Sequence, residues 1–165
     1  MVILYCNSLQ FNLWLQGILF RGAITKGLMD HDEKVLFGPA FIEAYELERR
    51  TATHPRIMLA KQVHQDATAS QQRQFPNYVA DYLLTHRYDV PCISPFAGYE
   101  KAMTLDAVHG LKKFIDARSV ILRQLQKAAG NPPVLLKWEW LARVYNDLIE
   151  RLGNAVLPGI SRIPY

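Results

Sequence analysis

Between Gly17 and Leu59 short apolar runs alternate with turn formers in an order that few folds accept. Ile18 to Phe20 leads into Arg21-Gly22 and Ala23-Ile24-Thr25, and Gly27 closes the segment. Asp30-His31-Asp32-Glu33 is a polar turn, Val35 to Phe37 a second short run, and Gly38-Pro39 opens a helix that Pro55 stops before Arg56 to Leu59. The pattern predicts strand, tight turn, strand, helix, strand. Proline at the first helical turn costs no hydrogen bond, because that N–H has no partner within the helix. Gly22 removes a side chain from strand 18–25, which lets another backbone or a ligand come close. Gly27 suits a turn position with positive φ. On the helix Pro39 to about Thr51, the residues Ala40, Phe41, Ala44, Leu47 and Glu48 share one side and are expected to pack on the sheet. Glu46 and Arg50 stand in the favourable acid-before-base order, worth about 0.2–0.5 kcal/mol when exposed.

The flanking sequence is mostly helical. Ser8 to Gln16 predicts a helix capped by Asn7 or Ser8, with Leu9 and Leu13 inward beside Phe11 or Trp14, and Gly17 as its stop. Residues 66–77 are polar and Gln/Ser-rich and read as a surface loop. Tyr78 to Leu84 fits strand and helix equally, and Asp89 to Gly98, with two prolines, reads as loop. Thr104 to about Ala129 predicts a long helix with an inner stripe of Val108, Leu111, Ile115, Leu122 and Leu125. Gly130-Asn131-Pro132-Pro133 breaks it. A last helix, Val134 to Leu152, packs Leu135, Trp138, Leu141, Tyr145, Ile149 and Leu152, and a helix pair joined this tightly is antiparallel. Trp138 and Trp140 point to different sides, one to the core and one to the rim. The tail 154–165 is expected to lack fixed order. The resulting division is a core over 1–65, a loop-rich connection over 66–100 and a helical pair over 101–153, all one domain.

With 165 residues, half of them apolar and 21% charged, the chain has the composition of a soluble globular domain with a real core. No run reaches the ~18 apolar residues of a membrane span. MVILYC is too short for a signal-peptide core. Cys6 and Cys92 lie far apart without metal spacing, which suits reduced thiols in a cytoplasm. The net charge of +4 gathers around one helix, at Lys101, Lys112, Lys113, Arg118, Arg123 and Lys127. A basic helix can follow a phosphate backbone, but a solvated face explains it equally and no recognition motif accompanies it, so nucleic-acid binding is not expected.

The order of elements resembles the second half of a class III nucleotidyl cyclase domain, and more closely the short prokaryotic cyclase-like proteins that include the anti-phage pyrimidine cyclases. RGAITKG is similar to their second-strand motif, FGPAFIEAYELE to their FGPAL-EAY-LE helix and HPRI to their YPRI strand. Lys137-Trp138-Glu139-Trp140-Leu141-Ala142 with Tyr145-Asn146 is similar to their KY-WLA-Y-N helix. The resemblance implies an α/β (α+β) fold: a truncated ferredoxin-type sheet with covering helices, then the antiparallel pair. It also implies that the family's first strand and its SDS-type hairpin, which hold the metal-binding aspartates, are missing, since nothing between Met1 and Gly17 is acidic.

Such a cyclase needs two carboxylates holding divalent metals against a triphosphate. No catalytic or metal residue is therefore expected in this chain, and no cofactor for it alone; Mg or Mn with a nucleoside triphosphate enters only if a partner completes the site. Where family members carry an asparagine and an arginine on the helix after the hairpin, this chain has Ile42 and Glu46, and a glutamate repels a triphosphate. Arg21 is the foremost phosphate-binding candidate, since a guanidinium beside a glycine can grip phosphate oxygens in bidentate fashion; an ion pair with Glu43 or Glu46 is its plain alternative. Arg56 and Lys26 are further candidates, with Gly22, Glu43 and Glu46 lining the site. Asp30 to Glu33 carries metal-ligand types, but consecutive side chains in a turn diverge. His54, His64, His86 and His109 share no ligand spacing.

Strand 18–25 is expected to expose an unpaired edge, which invites association. MVILYC, a second copy or another polypeptide would pair there. The expected function is that of a degenerate cyclase-like domain, inactive alone, serving as a binding or interaction module or a remnant. The alternative is half of a nucleotide cyclase, possibly of anti-phage signalling, completed by a partner that brings the aspartates. The expected partner is thus a homodimer mate or a complementing polypeptide, with no membrane.

Overall fold

Two three-residue strands, Gly22–Ile24 and Ile57–Leu59, lie side by side and parallel, although more than thirty residues separate them in the chain. The computed structural model that shows this pairing describes residues 2–51, 54–71, 84–85, 91–96, 107–157 and 159–165. The architecture is α+β. The elements are α1 (Val2–Leu15), β1 (Gly22–Ile24), β2 (Asp30–His31), β3 (Leu36–Phe37), α2 (Pro39–Thr51), β4 (Ile57–Leu59), α3 (Lys61–Gln71), β5 (Leu84–Thr85), β6 (Cys92–Ile93), α4 (Ala107–Ala128) and α5 (Pro132–Val156). They form two compact units, Met1–Cys6 with Phe20–Ser94 and Asn7–Leu19 with Pro95–Tyr165.

In the sheet unit the strand order is β1-β4-β6-β5. Gly22 stands opposite Ile57, Ala23 opposite Met58 and Ile24 opposite Leu59. The Gly22 N–H donates to the Arg56 carbonyl at 3.3 Å and the Ala60 N–H to the Ile24 carbonyl at 2.9 Å. A parallel pair needs a long crossover, and α2 supplies it. Strand alternation then sends side chains to both faces. Ile57, Leu59 and Ile93 pack with Ile3, Cys6, Phe20, Ile24, Val63 and Ala67 on one face, and Met58 and Cys92 with Ala23 and Leu47 on the other. Helices thus cover both faces, which is why β4 is buried throughout.

Several sequence expectations are corrected here. Strand 18–25 shortens to Gly22–Ile24 and does not pair with Val35 to Phe37. Leu36–Phe37 instead pairs with Asp30–His31 as a separate two-strand hairpin. The three-residue reach of β1 is spent on β4, a partner that buries both strands. Gly27 has no positive φ; a Cβ there would sit 3.3 Å from the Ala40 Cβ, so its role is close packing. Gly22 has nothing within 4 Å of its Cβ position. Gly38 is the residue that needs glycine, with φ +141° and the Leu28 carbonyl 2.8 Å from where a Cβ would stand. Val2 to Cys6 is helical and so does not pair with the sheet edge. Residues 66–71 continue α3 rather than opening a loop, while 72–77 lie outside the described residues. Cys92–Ile93 forms a strand inside the segment expected to be loop. Helix α2 keeps its expected bounds with Ala40 buried, but Phe41 faces solvent.

The helical unit is organised around Phe96. Its ring meets Phe11 at 6.2 Å, Trp14 at 5.7 Å, Phe114 at 5.9 Å and Tyr145 at 5.7 Å. Tilted and edge-on contacts of this kind favour aromatic pairs beyond the area they bury. The Tyr145 hydroxyl donates to the Phe114 carbonyl at 3.1 Å, tying α4 to α5 across an antiparallel contact, and burial pushes its phenol well above the ordinary value. Gly17 ends α1 as expected: its φ is +80°, its N–H bonds the Trp14 carbonyl at 2.8 Å, and the Ile18 N–H bonds the Leu13 carbonyl at 2.9 Å.

The inward faces differ from those expected. On α1, Asn7, Gln10, Phe11 and Trp14 are buried while Leu9 is exposed. On α4, Phe114, Ala117, Ile121 and Ala128 are buried; Leu111, Leu122 and Leu125 are half-buried, Ile115 is exposed, and the Val108 side chain lies outside the described residues. The aromatic at 114 and the small residues at 117 and 128 turn the helix about one position from the all-aliphatic stripe. Trp138 and Trp140 are both buried. The tail is packed rather than loose: Leu157, Ile160 and Ile163 are buried. The Asn146 amide donates to the Ile163 carbonyl at 2.9 Å and accepts its N–H at 2.7 Å. Arg118 donates to the carbonyls of Ser161 and Arg162 at 2.9 and 3.3 Å.

Phe96→Ala should lower the unfolding free energy of this unit by about 3–5 kcal/mol and Tyr145→Phe by about 1 kcal/mol, read from urea melts. Asn146→Ala strands a buried backbone N–H and carbonyl and should cost about 1–3 kcal/mol. Asn146→Ala without measurable effect would mean that the tail is not held by this clamp.

Candidate functional site

The three basic candidates flank the β1–β4 pair, and the pair separates them. Arg21 precedes β1 and Arg56 precedes β4, so both stand at the amino ends of two parallel strands. Lys26 follows β1 and stands at the carboxyl end. Five residues of extended chain span about 16 Å, too far for one phosphate group to meet both Arg21 and Lys26. Helix α2 runs back along the same distance: its Ala40 carbonyl accepts from Thr25 Oγ1 at 2.8 Å near one end, and Glu48 pairs with Arg21 near the other.

Each of the three cations has a protein partner. Arg21 Nε is ion-paired with Glu48, not with Glu43 or Glu46. Glu48 belongs to the sheet-facing side of α2, which explains the choice. Glu46 pairs instead with Arg50 at 2.7 Å, one turn away, as its spacing predicts. Glu43 is exposed. Lys26 Nζ lies 2.8 Å from Asp66, whose other oxygen accepts from Gln62 at 2.8 Å. The Lys26 and Gln62 hydrogen bonds hold the Asp66 carboxyl below its ordinary value. Arg56 is buried, and its guanidinium hydrogen-bonds the Cys92 thiol. Gly22 is the first residue of the ladder, opposite Ile57, and the space its missing side chain leaves is open.

The polar turn is a local device. The Asp32 carboxylate accepts the Lys34 and Val35 N–H groups at 2.7 and 2.8 Å, which holds its pKa down. Asp30 and His31 lie in extended β2, where neighbouring side chains point to opposite faces. Among the described residues no group of three His, Cys, Asp or Glu side chains converges as metal ligands would.

One feature lay outside the sequence reading: an open cleft of about 460 Å³ at the carboxyl end of β1. Val2, Ile3, Ile24, Val63 and Ala67 form apolar walls, and Thr25, Lys26 and Asp66 form the polar rim. Its size is that of a small-molecule pocket. Lys26 is the only sequence-named candidate it contains. Its walls come from α1, β1 and α3, whereas the sequence pattern starts the first helix only at Ser8 and reads 66–77 as loop.

Comparison of the chain with known protein families, curated proteins and solved structures finds no match.

Burial pushes the Cys92 thiol up to about 11, against the opposing pull of Arg56. A raised folded value means that the unfolded chain gives up this proton first. The contribution is therefore intact below the ordinary thiol value of 9.0 and is lost as pH rises toward 11. Urea midpoints should fall more steeply across that window for the native chain than for Cys92→Ala; equal slopes would contradict the burial of this thiol.

Proposed function

We propose that this chain is an interaction module built on a degenerate class III nucleotidyl cyclase-like core, and that it closes no nucleotide ring by itself. The observation that carries the reading is the division of Arg21 and Arg56 from Lys26 across the β1–β4 pair, with each side chain engaged by Glu48, Cys92 or Asp66. A triphosphate grip needs cations that converge and are released to the ligand, and this arrangement offers neither. On α2, Ile42 is exposed and Glu46 is paired with Arg50, so neither of the two helix positions presents a phosphate-binding group. The first acidic residue of the sequence is Asp30, in the hairpin and away from β1.

What the sheet unit does offer is surface for another polypeptide. Among the described residues β1 pairs with β4 alone. Gly22 and Ile24 turn their backbone groups to β4, so the alternating geometry turns those of Ala23 outward. An outer strand of this kind accepts a further strand. That same edge favours a second reading, in which a partner adds strands bearing the metal-holding aspartates and the pair together uses Mg or Mn with a nucleoside triphosphate.

The purified chain, incubated with each nucleoside triphosphate and Mn²⁺, should yield no cyclic UMP, CMP, AMP or GMP, and calorimetry should register no binding. Arg21→Ala should leave stability within about 1 kcal/mol, since the pair it breaks is half-exposed. Micromolar nucleotide binding that disappears in Arg21→Ala would overturn the proposal.

A further inference from the structure

One apolar cluster of the sheet unit is closed at its centre and open at one end. Ile57, Leu59 and Ile93 are buried, whereas Ile3, Ile24, Val63 and Ala67, packed against them, keep part of their surface. The cleft of about 460 Å³ opens among these four, at the carboxyl end of β1. In open α/β sheets that is the end of the strands at which ligands sit. Its walls are aliphatic and its rim is charged. On α3, Val63, Asp66 and Ala67 fall at i, i+3 and i+4, so one helix face supplies two wall positions and the acid of the rim. The chain of β1 runs from Ile24 in the wall to Lys26 on the rim. Neither rim charge is saturated. Lys26 Nζ has three N–H donors, and Asp66 accepts one of them at 2.8 Å; the other Asp66 oxygen accepts one bond, from Gln62. Thr25 Oγ1 donates to the Ala40 carbonyl, which leaves its lone pairs to accept. Among the described residues, ammonium protons and carboxylate lone pairs thus stand side by side above an apolar hollow.

We infer that this cleft binds a free α-amino acid with a large apolar side chain, its carboxylate on Lys26, its ammonium on Asp66 and its side chain against Ile24, Val63 and Ala67. Charge selects the head group. Lys26 and Asp66 together are neutral, so a polyanion meets the repulsion of one as well as the attraction of the other. A lone carboxylate leaves Asp66 facing it, and a lone ammonium faces Lys26. A zwitterion satisfies both groups and strands neither. The internal pair need not break, because each partner has bonding capacity left. The walls select the side chain: valine, isoleucine and alanine offer nothing to a hydroxyl or a charge, and aliphatic or phenyl surface gains by leaving water against them. A small pocket with apolar walls and a few polar groups that fix orientation is the usual anatomy of a small-molecule site. The cleft stands apart from Arg21 and Arg56, which lie at the other end of the strand pair.

Titration of the ¹⁵N-labelled full chain with L-phenylalanine or L-leucine should shift the amide resonances of residues 2–3, 24–26 and 63–67 saturably. The expected Kd is about 0.1–1 mM, the range open to a ligand of about ten heavy atoms. Removing either charge of the ligand should weaken binding about tenfold: 3-phenylpropionate lacks the ammonium and phenylalaninamide the carboxylate. Glycine keeps both charges and loses the side chain, and should not bind at about 10 mM. Lys26→Met and Asp66→Asn should each weaken L-phenylalanine about tenfold. Ala67→Phe, which fills the hollow, should abolish binding, and Leu136→Glu, at an exposed position of the other unit, should change nothing. The amide spectrum of each variant shows whether it is folded, and the comparison of ligands needs no variant. Absence of a saturable shift at about 10 mM L-phenylalanine overturns the proposal. So does 3-phenylpropionate binding as tightly as L-phenylalanine, which would make the cleft a plain apolar hollow. Shifts confined to other residues, or unchanged affinity in Lys26→Met, overturn it as well.

Discussion

The parallel pairing of β1 with β4 decides where every charged candidate of the sheet unit falls. Once Gly22 sits opposite Ile57, Arg21 and Arg56 must share one end of the pair and Lys26 the other. The crossover that a parallel pair requires then lays α2 along β1, which brings Glu48 to Arg21 and frees Glu46 for Arg50. The hairpin Asp30 to Phe37 is left outside the sheet, and its apolar side chains find no cover within the unit. One register thus both holds the three cations apart and leaves Val35, Leu36 and Phe37 exposed.

The same logic explains the buried arginine. Arg56 sits at the amino end of a strand that is buried on both faces, so its guanidinium cannot reach solvent and uses the Cys92 thiol on the neighbouring strand. A buried cation near a thiol would ordinarily favour the thiolate. Here burial wins, and Cys92 remains a core residue with no route to reagents. The helical unit reaches its order by other means, with one phenylalanine ring at the centre of four aromatic contacts and a side-chain amide that treats the tail as a strand.

Much of this was legible in the sequence wherever local chemistry decides. Gly17, Gly38-Pro39, the Glu46–Arg50 pair, the polar turn and the two long helices follow from capping, turn chemistry and i,i+4 spacing, none of which needs a distant partner. What failed depends on tertiary choice. Strand 18–25 carries no mark that says whether it pairs with 35–37 or with 57–59, since both are short and apolar. Cys92–Ile93 is too short to announce itself between two prolines. The stripe on α4 slipped because Phe114 and the small Ala117 and Ala128 complement rings contributed from elsewhere. The tail reads as loose because its clamp, Asn146, is an unremarkable helical asparagine until Ile163 lies against it. Of the site, the residue types were legible and their placement was not: Arg21 and Lys26 are close in sequence yet stand at opposite ends of β1, while the distant Arg56 joins Arg21.

Strand pairing is read most directly by NMR, from amide contacts and couplings across hydrogen bonds. Coupling is expected between the Ala60 N–H and the Ile24 carbonyl, with contacts linking Ala23 to Met58 and Ile24 to Leu59. Contacts that join Ile24 instead to Leu36 and Phe37, in the antiparallel sense, would restore the long hairpin and contradict the separation of the three cations on which the account rests.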